Sequence, residues 1–392
     1  MRSTWQLACG LGIAAILTAC GGGSGSKPEP TPKLTSEQIH QYSSHSLFAG
    51  LLVQSSAVLM SSLALEYAEY RHSPLGEDEP PRPSVDEIPC DHGGSFQARY
   101  TPVDPGNEGI AVGDEVRFAF KQCRQEFEGF GIAIFDDDEE DDIVTINGGV
   151  RVVITEFNVP ELFGKVASAP AQEGFVMSKA LKALKNAEQT VSVGTRVAYS
   201  ALQIGDGEEV DATDTQFDGV MRARFPTVIP DDEPAIIAKM DGDTETLLVS
   251  VATSQEGGES LKVSFEEDGK GYTQTVTEFR GEMDLHCLCS DSGDSIRHTI
   301  NELAYANTGS DPELGDDFSY TLQLEEPIVI NEFEFGVASG EMLTTVHLGD
   351  DYAEDVTTKF ASSGDDATVD ISSTGGAAWS GSFEDYLGFD FD

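Results

Sequence analysis

The chain has 392 residues, with 70 acidic against 23 basic side chains and a formal net charge of −47 at pH 7. This excess of negative charge argues against binding DNA or RNA through their phosphates, and equally against adhering to anionic lipid through a basic surface. The hydrophobic content of 39% supplies enough apolar material for one large core or two domains. We therefore expect a folded protein whose partners include no nucleic acid.

Residues 1–19 have the pattern of a bacterial lipoprotein signal peptide. Arg2 supplies a positive charge, Trp5 to Leu17 form an apolar segment too short to span a bilayer, and Leu-Thr-Ala then precedes Cys20. We expect cleavage before Cys20, acylation of that cysteine by chains such as palmitate, and attachment to a membrane through them. Gly21 stands where lipoproteins retained in the inner membrane carry Asp, which favours the outer membrane.

The tether and the first folded element follow directly. Residues 20–34 comprise the acylated cysteine and a Gly/Ser-rich and Pro-containing stretch that we predict to be flexible. Thr35 and Gln38 form a capping box, and residues 35–73 show apolar side chains at helical spacing, which predicts one long amphipathic helix. The apolar run Leu47 to Leu65 is interrupted by polar residues, so we interpret it as a buried helix and not as a membrane span.

The pattern changes after a Pro- and acid-rich linker predicted at residues 74–89. From residue 90 to 392, short alternating segments rich in Val, Ile, Thr and aromatic residues indicate an antiparallel β domain. One exception, Phe175 to Ala187, has helical spacing. An alternative division of this domain is into two halves that meet near 166–192. The predicted fold is mainly β: a large antiparallel sheet, a curved meander or half-barrel, with the N-terminal helix packed on it. The predicted strands are Phe96–Tyr100, Glu115–Lys121, Gly149–Glu156, Val220–Phe225, Thr246–Thr253, Leu261–Glu266, Tyr320–Leu324 and Ala367–Ile371.

A large apolar residue, a polar residue and a glycine recur at four places, ending at Gly148, Gly219, Gly281 and Gly381. Their spacing is too long and irregular for a solenoid repeat. We interpret them as strand positions in one meander, where glycine relieves a β-bulge or a close packing point.

Four cysteines remain besides Cys9 of the signal and Cys20, and an even number in an exported domain suggests disulfides. If residues 91–122 form a hairpin with its tip in 104–109, Cys90 faces Cys123 within disulfide reach. Cys287 and Cys289 share one face of a strand, so bridging them requires a bent backbone. A second disulfide, bonding between the two pairs, and a copper or zinc site with His286 remain alternatives there.

The sequence contains no nucleophile elbow, zinc-protease helix motif, phosphate-binding loop or dinucleotide fingerprint, so we expect no enzymatic activity. Two acidic segments are candidate calcium sites, although a solvated acidic loop is the commoner outcome for such segments. One is the alternating set Asp241, Asp243 and Glu245. The other is the continuous run of Asp136, Asp137, Asp138, Glu139, Glu140, Asp141 and Asp142.

The order of lipoprotein signal, Gly/Ser tether, apolar helix, Cys90-x-x-Gly93-Gly94, Gly113-Asp114, Cys123 and Asn147-Gly148 resembles a group of uncharacterised outer-membrane lipoproteins of Gram-negative bacteria. The resemblance covers mainly residues 1–160. It implies export and anchoring but no activity.

Two functions are compatible with these features. The first is a non-catalytic exported lipoprotein with an envelope-structural, surface-interaction or adhesion role, working with an unidentified protein partner. The alternative is a carrier or chaperone of lipid or another amphiphilic ligand, held between the helix and a curved sheet. A large apolar cavity beside the helix would favour the carrier, whereas a helix packed flush against the sheet would count against it.

Overall fold

The computed structural model describes residues 33–72, 83–106, 109–126, 143–158, 192–205, 214–226, 244–267, 270–290, 295–311, 314–331, 336–348, 352–363 and 366–387. The predicted signal, the tether up to residue 32 and the segment of helical spacing at Phe175–Ala187 lie outside these ranges. So does the proposed junction of two halves near 166–192.

Within the described ranges the fold comprises one antiparallel sheet of fifteen strands, one long helix and one short C-terminal helix, which confirms the predicted class. Strands follow one another across the sheet almost in chain order, as in a meander. The elements are α1 (Ser36–His72), β1 (Asp86–Pro89), β2 (Ser95–Thr101), β3 (Glu115–Glu126), β4 (Ile143–Asn158), β5 (Ser192–Gly205), β6 (Thr215–Pro226), β7 (Thr244–Ser254), β8 (Ser260–Glu267), β9 (Lys270–Ser290), β10 (Ser295–Asp311), β11 (Gly315–Asn331), β12 (Gly336–His347), β13 (Ala353–Ser363), β14 (Asp366–Ser373), β15 (Ala378–Ser382) and α2 (Phe383–Leu387). All eight predicted strands lie within observed ones.

Helix α1 crosses the sheet from its last strands to its first. Ser43 near its start bonds Thr358 of β13, Ser61 bonds Thr195 of β5, and Tyr67 near its end bonds the backbone of β2. At about 1.5 Å per residue, its 37 residues extend roughly 55 Å, comparable to the width of the strand path at about 4.8 Å per strand. The helix thus supplies a common packing partner to strands across the whole sheet.

The start of α1 is fixed by the predicted capping box and by a buried carboxylate. The Thr35 amide donates to Gln38 Oε1 at 3.0 Å, and the Gln38 amide donates to Thr35 Oγ1 at 3.2 Å. Just before the cap, the Leu34 amide donates to the fully buried Glu354 of β13, which also accepts the Gly375 amide. These bonds attach the N-terminal end of the helix to the last strands.

The central part of α1 is enclosed, contrary to the predicted amphipathic pattern. Five consecutive residues, Ser56 to Met60, are all buried. Because successive helical residues are about 100° apart, five of them point in every direction around the axis. The helix is long and apolar enough to cross a membrane, but 72% of its most apolar window is buried within the protein. It has the environment of a core helix, as predicted for Leu47 to Leu65.

Strands β7 and β8 together occupy one position in the sheet, between β6 and β9. β6 pairs with β8 through Gln216–Gly219 and with β7 through Arg222–Arg224. Gln255 fills the break between the two strands, where its side-chain amide donates to the carbonyls of Val220 and Val276. Its Oε1 accepts the Phe279 amide at 3.3 Å. One side chain therefore replaces hydrogen bonds that a continuous strand would make.

Glycines occupy positions where the strands bulge or approach closely, as the recurring motif predicted. Gly148 has φ +103° and Gly219 has φ +139°, and a Cβ at either would lie within 2.2 Å of a carbonyl oxygen on the neighbouring strand. The register slips beside Gly148 in its pairing with β5. Gly281 and Gly381 instead lie against the rings of Phe279 and Trp379. Such bulges increase the local twist and bend a sheet.

The predicted linker is shorter than expected. Its last residues, Asp86–Pro89, form strand β1, which pairs with β2. Asp86 accepts hydrogen bonds from Tyr67 and Arg71, so the end of α1 holds this edge strand in place. Proline within a sheet is tolerated on an edge strand, which agrees with the position of Pro89 in β1.

The Cys90–Cys123 disulfide is present, with the Cα atoms 5.5 Å apart, but the predicted register is wrong by three residues. Ser95 faces Lys121, so a regular hairpin would place Cys90 opposite Glu126. A turn closed by the Gly93 amide on the Cys90 carbonyl, at 3.2 Å, takes up the difference. Within it, Gly94 has φ +71°, and a Cβ there would lie 1.7 Å from the Gln122 carbonyl oxygen. The pair was predicted correctly from an incorrect geometry.

Replacing both Cys90 and Cys123 by Ala is expected to lower the free energy of unfolding by about 3 kcal/mol, because the disulfide closes a loop of 33 residues in the unfolded chain. Urea unfolding of the variant and the wild type measures the difference. Equal midpoints and slopes would show that the bridge does not constrain the unfolded state.

Gln255→Ala is expected to lower the free energy of unfolding by about 2 kcal/mol, because three backbone groups lose their side-chain partner. Gln323→Ala is the matched control, since among the described residues that exposed amide hydrogen-bonds to the Glu325 side chain and to no backbone group, and it should lower the free energy of unfolding by less than about 0.5 kcal/mol. Thermal and urea unfolding would compare the two variants. A similar effect of both substitutions would contradict the role given to Gln255.

Candidate functional site

The junction between α1 and the sheet is packed flush. Ser43 and Thr358 hydroxyls lie 2.6 Å apart, and those of Ser61 and Thr195 are also 2.6 Å apart. At Gly50 an added Cβ would come within 2.9 Å of side-chain carbons of β10. Helix and strands touch directly at these points, which leaves no room there for an acyl chain. This contact is the arrangement that counts against the carrier hypothesis.

A buried polar cluster connects α1 to β10 and β11. The Tyr320 hydroxyl accepts from Asn307 Nδ2 at 2.8 Å and lies 2.9 Å from His45 Nδ1, while Tyr305 donates to the Ser46 carbonyl. Burial raises the pKa of both tyrosines and lowers the pKa of His45, so these groups are neutral near pH 7. The cluster positions the helix through neutral hydrogen bonds.

The outer face of the sheet, opposite α1, carries a row of arginine side chains. Each of the five neighbouring strands β2 to β6 contributes one arginine, and the pairing register brings them into line. Arg99 faces Arg117, Arg117 faces Arg151, and Arg196 faces Arg222. Arg151 lies diagonally opposite Arg196, whose direct partner is Val153. We call Arg99, Arg117, Arg151, Arg196 and Arg222 the arginine row.

Two glutamates lie within the arginine row, each shared by two arginines. Glu115 accepts from Arg117 and, at 2.6 Å, from Arg151 Nε. Glu259, from the turn between β7 and β8, accepts from Arg196 Nε at 2.9 Å and Arg222 Nε at 3.0 Å. Glu115 compensates only one of its two guanidinium charges, so the group of Arg117, Arg151 and Glu115 retains positive charge. Arg222 also pairs with Glu256 at 2.9 Å, so the two carboxylates Glu259 and Glu256 balance Arg196 and Arg222.

The electrostatics of these glutamates follow from their partners. Burial by itself would raise the pKa of Glu259, but bonds from Arg222, from the Glu256 amide and from Arg196 outweigh it and lower the pKa to about 2. For Glu115, burial is likewise outweighed by bonds from Arg151 and Arg117, and the pKa is lowered. Both carboxylates are therefore ionised throughout the physiological pH range.

The guanidinium groups remain accessible despite these bonds. The exposed fraction of the side chain is 58% for Arg117 and 49% for Arg151, and it falls to 22% for Arg222. Alongside the row runs a line of small or uncharged residues in register, comprising Gln97, Ala119, Gly149 and Ser200. A strip of small or uncharged side chains therefore runs beside the arginine row.

Charge divides unevenly over the outer face. Among exposed side chains described on β2–β6, five are basic and one, Asp218, is acidic; the basic ones are Arg99, Arg117, Lys121, Arg151 and Arg224. On β9–β14 three are basic and seven acidic. The basic ones are Lys270, Arg280 and Lys359, and the acidic ones are Glu278, Glu282, Glu302, Asp317, Glu325, Glu326 and Asp370. The arginine row is thus a local exception in an acidic protein.

The second cysteine pair is placed only in part. Cys287 and Cys289 lie in β9 with His286, opposite Leu247, Glu245 and Leu248 of β7. The side chains of these three residues are outside the described part, as is that of Glu245, so a second disulfide and a metal site there stay predictions. Within the residues that are described, no group of three or more His, Cys, Asp or Glu side chains could hold a metal ion.

The remaining predicted site residues fall outside the described ranges. These are Cys20, the acidic residues Asp136–Asp142, and Asp241 and Asp243. Acylation and calcium binding at these positions therefore remain predictions.

The arginine row was not found from the sequence. Net charge hides it, because five arginines spread over residues 99–222 contribute little to a total of −47. Strand alternation gave a usable signal, since Arg99, Arg117 and Arg151 each lie at outward positions of predicted strands. Aligning them required the register, which bulges alter.

Stability should fall in acid partly through Glu259. Its folded pKa, about 2, is below the ordinary value of 4.5, so its contribution is complete above about pH 4.5 and is lost as the pH falls toward 2. The free energy of unfolding of the wild type should exceed that of Glu259→Gln at pH 7, and this difference should shrink as the pH falls from about 4.5 to 2. A difference that does not change with pH would contradict the lowered pKa of Glu259.

Comparisons of the whole chain with protein-family models, with curated proteins and with solved structures find no match.

Proposed function

We propose that this chain is an exported bacterial lipoprotein, anchored to the outer membrane through acyl chains on Cys20, whose folded domain is a non-catalytic interaction module of the cell envelope. The observation that carries the proposal is Leu-Thr-Ala-Cys at residues 17–20, directly after an apolar segment of signal length. In this proposal the protein acts through the exposed surface of its sheet, which the anchor holds near a membrane.

Two features of the domain support this proposal. The Cys90–Cys123 bridge is of a kind that persists in the oxidising compartments reached by exported proteins. Residues 21–32 separate the anchor from the first described residues, and at most about 3.5 Å per residue allows a reach of roughly 40 Å. The domain would stay close to the membrane while its outer face remains open to partners.

The carrier alternative has weaker support. Direct hydroxyl contacts between α1 and the sheet, and the close approach at Gly50, favour a closed junction. The outer face offers a charged surface instead, so an interaction role accounts for more of the observed features than a carrier role.

Cys20→Ser is expected to abolish acylation, because the thiol that accepts the acyl chains is removed. Labelling of cells with radioactive palmitate, followed by purification, measures incorporation into the protein. Cys9→Ser is the matched control, since Cys9 lies within the segment removed with the signal, and it should leave labelling unchanged.

Separation of inner and outer membranes then tests the location. The wild type should be found in the outer membrane, and Gly21→Asp should move it toward the inner membrane. Wild-type protein without label, or labelled Cys20→Ser protein, would overturn the proposed anchor.

A further inference from the structure

We infer that the arginine row is a binding site for a linear anionic glycan of the cell envelope, one that carries an acidic group on successive sugars. The inference rests on the proposed function, because export and anchoring give this surface access to envelope glycans. It begins from the juxtaposition of Arg99, Arg117 and Arg151 on three adjacent strands.

Placing arginines directly opposite one another has a cost. Like charges facing each other across antiparallel strands destabilise a sheet. Here the register does so three times, at Arg99 with Arg117, Arg117 with Arg151, and Arg196 with Arg222. Glu259 and Glu256 balance Arg196 and Arg222, whereas among the described ion pairs a single glutamate, Glu115, serves Arg117 and Arg151. The group of Arg99, Arg117 and Arg151 thus keeps an excess of positive charge. An external anion would supply the missing negative charge.

The dimensions favour a linear and multivalent partner. Five strands at about 4.8 Å spacing give the row a length of roughly 20 Å. A single small anion would contact one or two guanidinium groups, whereas an extended chain with regularly spaced acidic groups reaches Arg99, Arg117 and Arg151 together. Guanidinium groups bind carboxylate and phosphate through paired, charge-assisted hydrogen bonds. The strip of small residues beside the row, such as Ala119 and Gly149, carries no large side chain that would obstruct the sugar rings.

The surroundings disfavour a single-stranded nucleic acid. Binding of that kind combines positive charge with aromatic side chains on which bases stack. The described outward residues beside the row are small or aliphatic, namely Ala119, Val153, Ala198 and Val220. The row therefore offers charge without a stacking platform.

The position of the row disfavours the anchoring membrane. Its strands β2–β6 are those reached by the later turns of α1, through Ser61 to Thr195 and Tyr67 to the Ala98 carbonyl. The tether joins the opposite end, where Lys33 donates to the Gly375 carbonyl. Since α1 extends roughly 55 Å between the two ends, the row is far from the point of attachment.

The overall negative charge does not prevent such binding. At physiological ionic strength, exposed charges more than about 8 Å apart are largely screened. The acid-rich strands begin at β9, which is separated from β6 by the β7/β8 position, about 10 Å beyond the end of the row. A ligand on Arg99, Arg117 and Arg151, which lie two or more strand positions from Arg222 and its partner Glu256, thus meets mainly the local positive charge.

The test uses the full-length protein, solubilised from membranes in a non-ionic detergent, with polygalacturonate as the anionic glycan and dextran as the neutral one. We expect binding to polygalacturonate that weakens with added NaCl, and no binding to dextran. The triple variant Arg99→Gln, Arg117→Gln, Arg151→Gln should bind roughly tenfold more weakly or worse. The matched control is Lys270→Gln, Arg280→Gln, Lys359→Gln, which removes the same number of exposed positive charges from the acid-rich half and should bind like the wild type.

Arg99→Gln alone protects the test against a folding defect, because the bonds that hold Glu115 come from Arg117 and Arg151. This variant should unfold at the wild-type temperature and bind a few-fold more weakly. Equal binding by both triple variants, or no binding to polygalacturonate, would overturn the inference. Preferential binding to single-stranded DNA, to phosphatidylglycerol vesicles or to a second copy of the protein would also overturn it.

The same protein preparations distinguish this inference from the proposed anchor. Glycan binding by protein that carries no acyl chain would contradict the anchor and leave the site standing. Acylated protein without glycan binding would contradict the site and leave the anchor standing.

Discussion

The whole structure depends on one packing constraint: a single helix must bury the inner face of strands spread across the sheet. Small side chains make this possible. Serines at positions 43, 46 and 61 and the glycine at position 50 let the helix backbone approach the strands closely, and threonine hydroxyls on the strands satisfy the serines. A helix with larger residues at these positions would stand away from the sheet and open the core to water.

Because of this constraint, the two faces of the sheet have different roles. The inner face is committed to the helix, with neutral hydrogen bonds such as those around Tyr320 fixing the relative position of helix and strands. Recognition is left to the outer face, where side chains extend from a rigid backbone. A site built on strands holds its charges at spacings set by the sheet, which makes the arginine row more precise than a loop carrying the same residues.

Local patterns in the sequence were sufficient to predict the helix and the strands, but not the register in which the strands pair. The capping box at Thr35, the long helix and the alternating strands follow from patterns of a few residues, and the structure has each of them. The hairpin register was wrong because Gly94 and Gln122 adopt left-handed backbone conformations, which add residues to a turn and a bulge without changing the pattern. The arginine row was hidden for the same reason, since it exists only through the pairing of distant strands. The prediction of an amphipathic helix was wrong at Ser56 to Met60, because packing against the rest of the protein buries all sides of the helix there.

The two ends of the sheet also govern how the protein behaves in a crowded compartment. A broad sheet with open edges invites strands of other chains to add on, which leads to aggregation. Here the first edge strand has four residues and ends in Pro89, and the last has five and runs directly into α2. An incoming strand would find few backbone groups in register at either end, and Pro89 offers no amide hydrogen. Short, interrupted edges therefore keep a fifteen-stranded sheet from growing into a fibre.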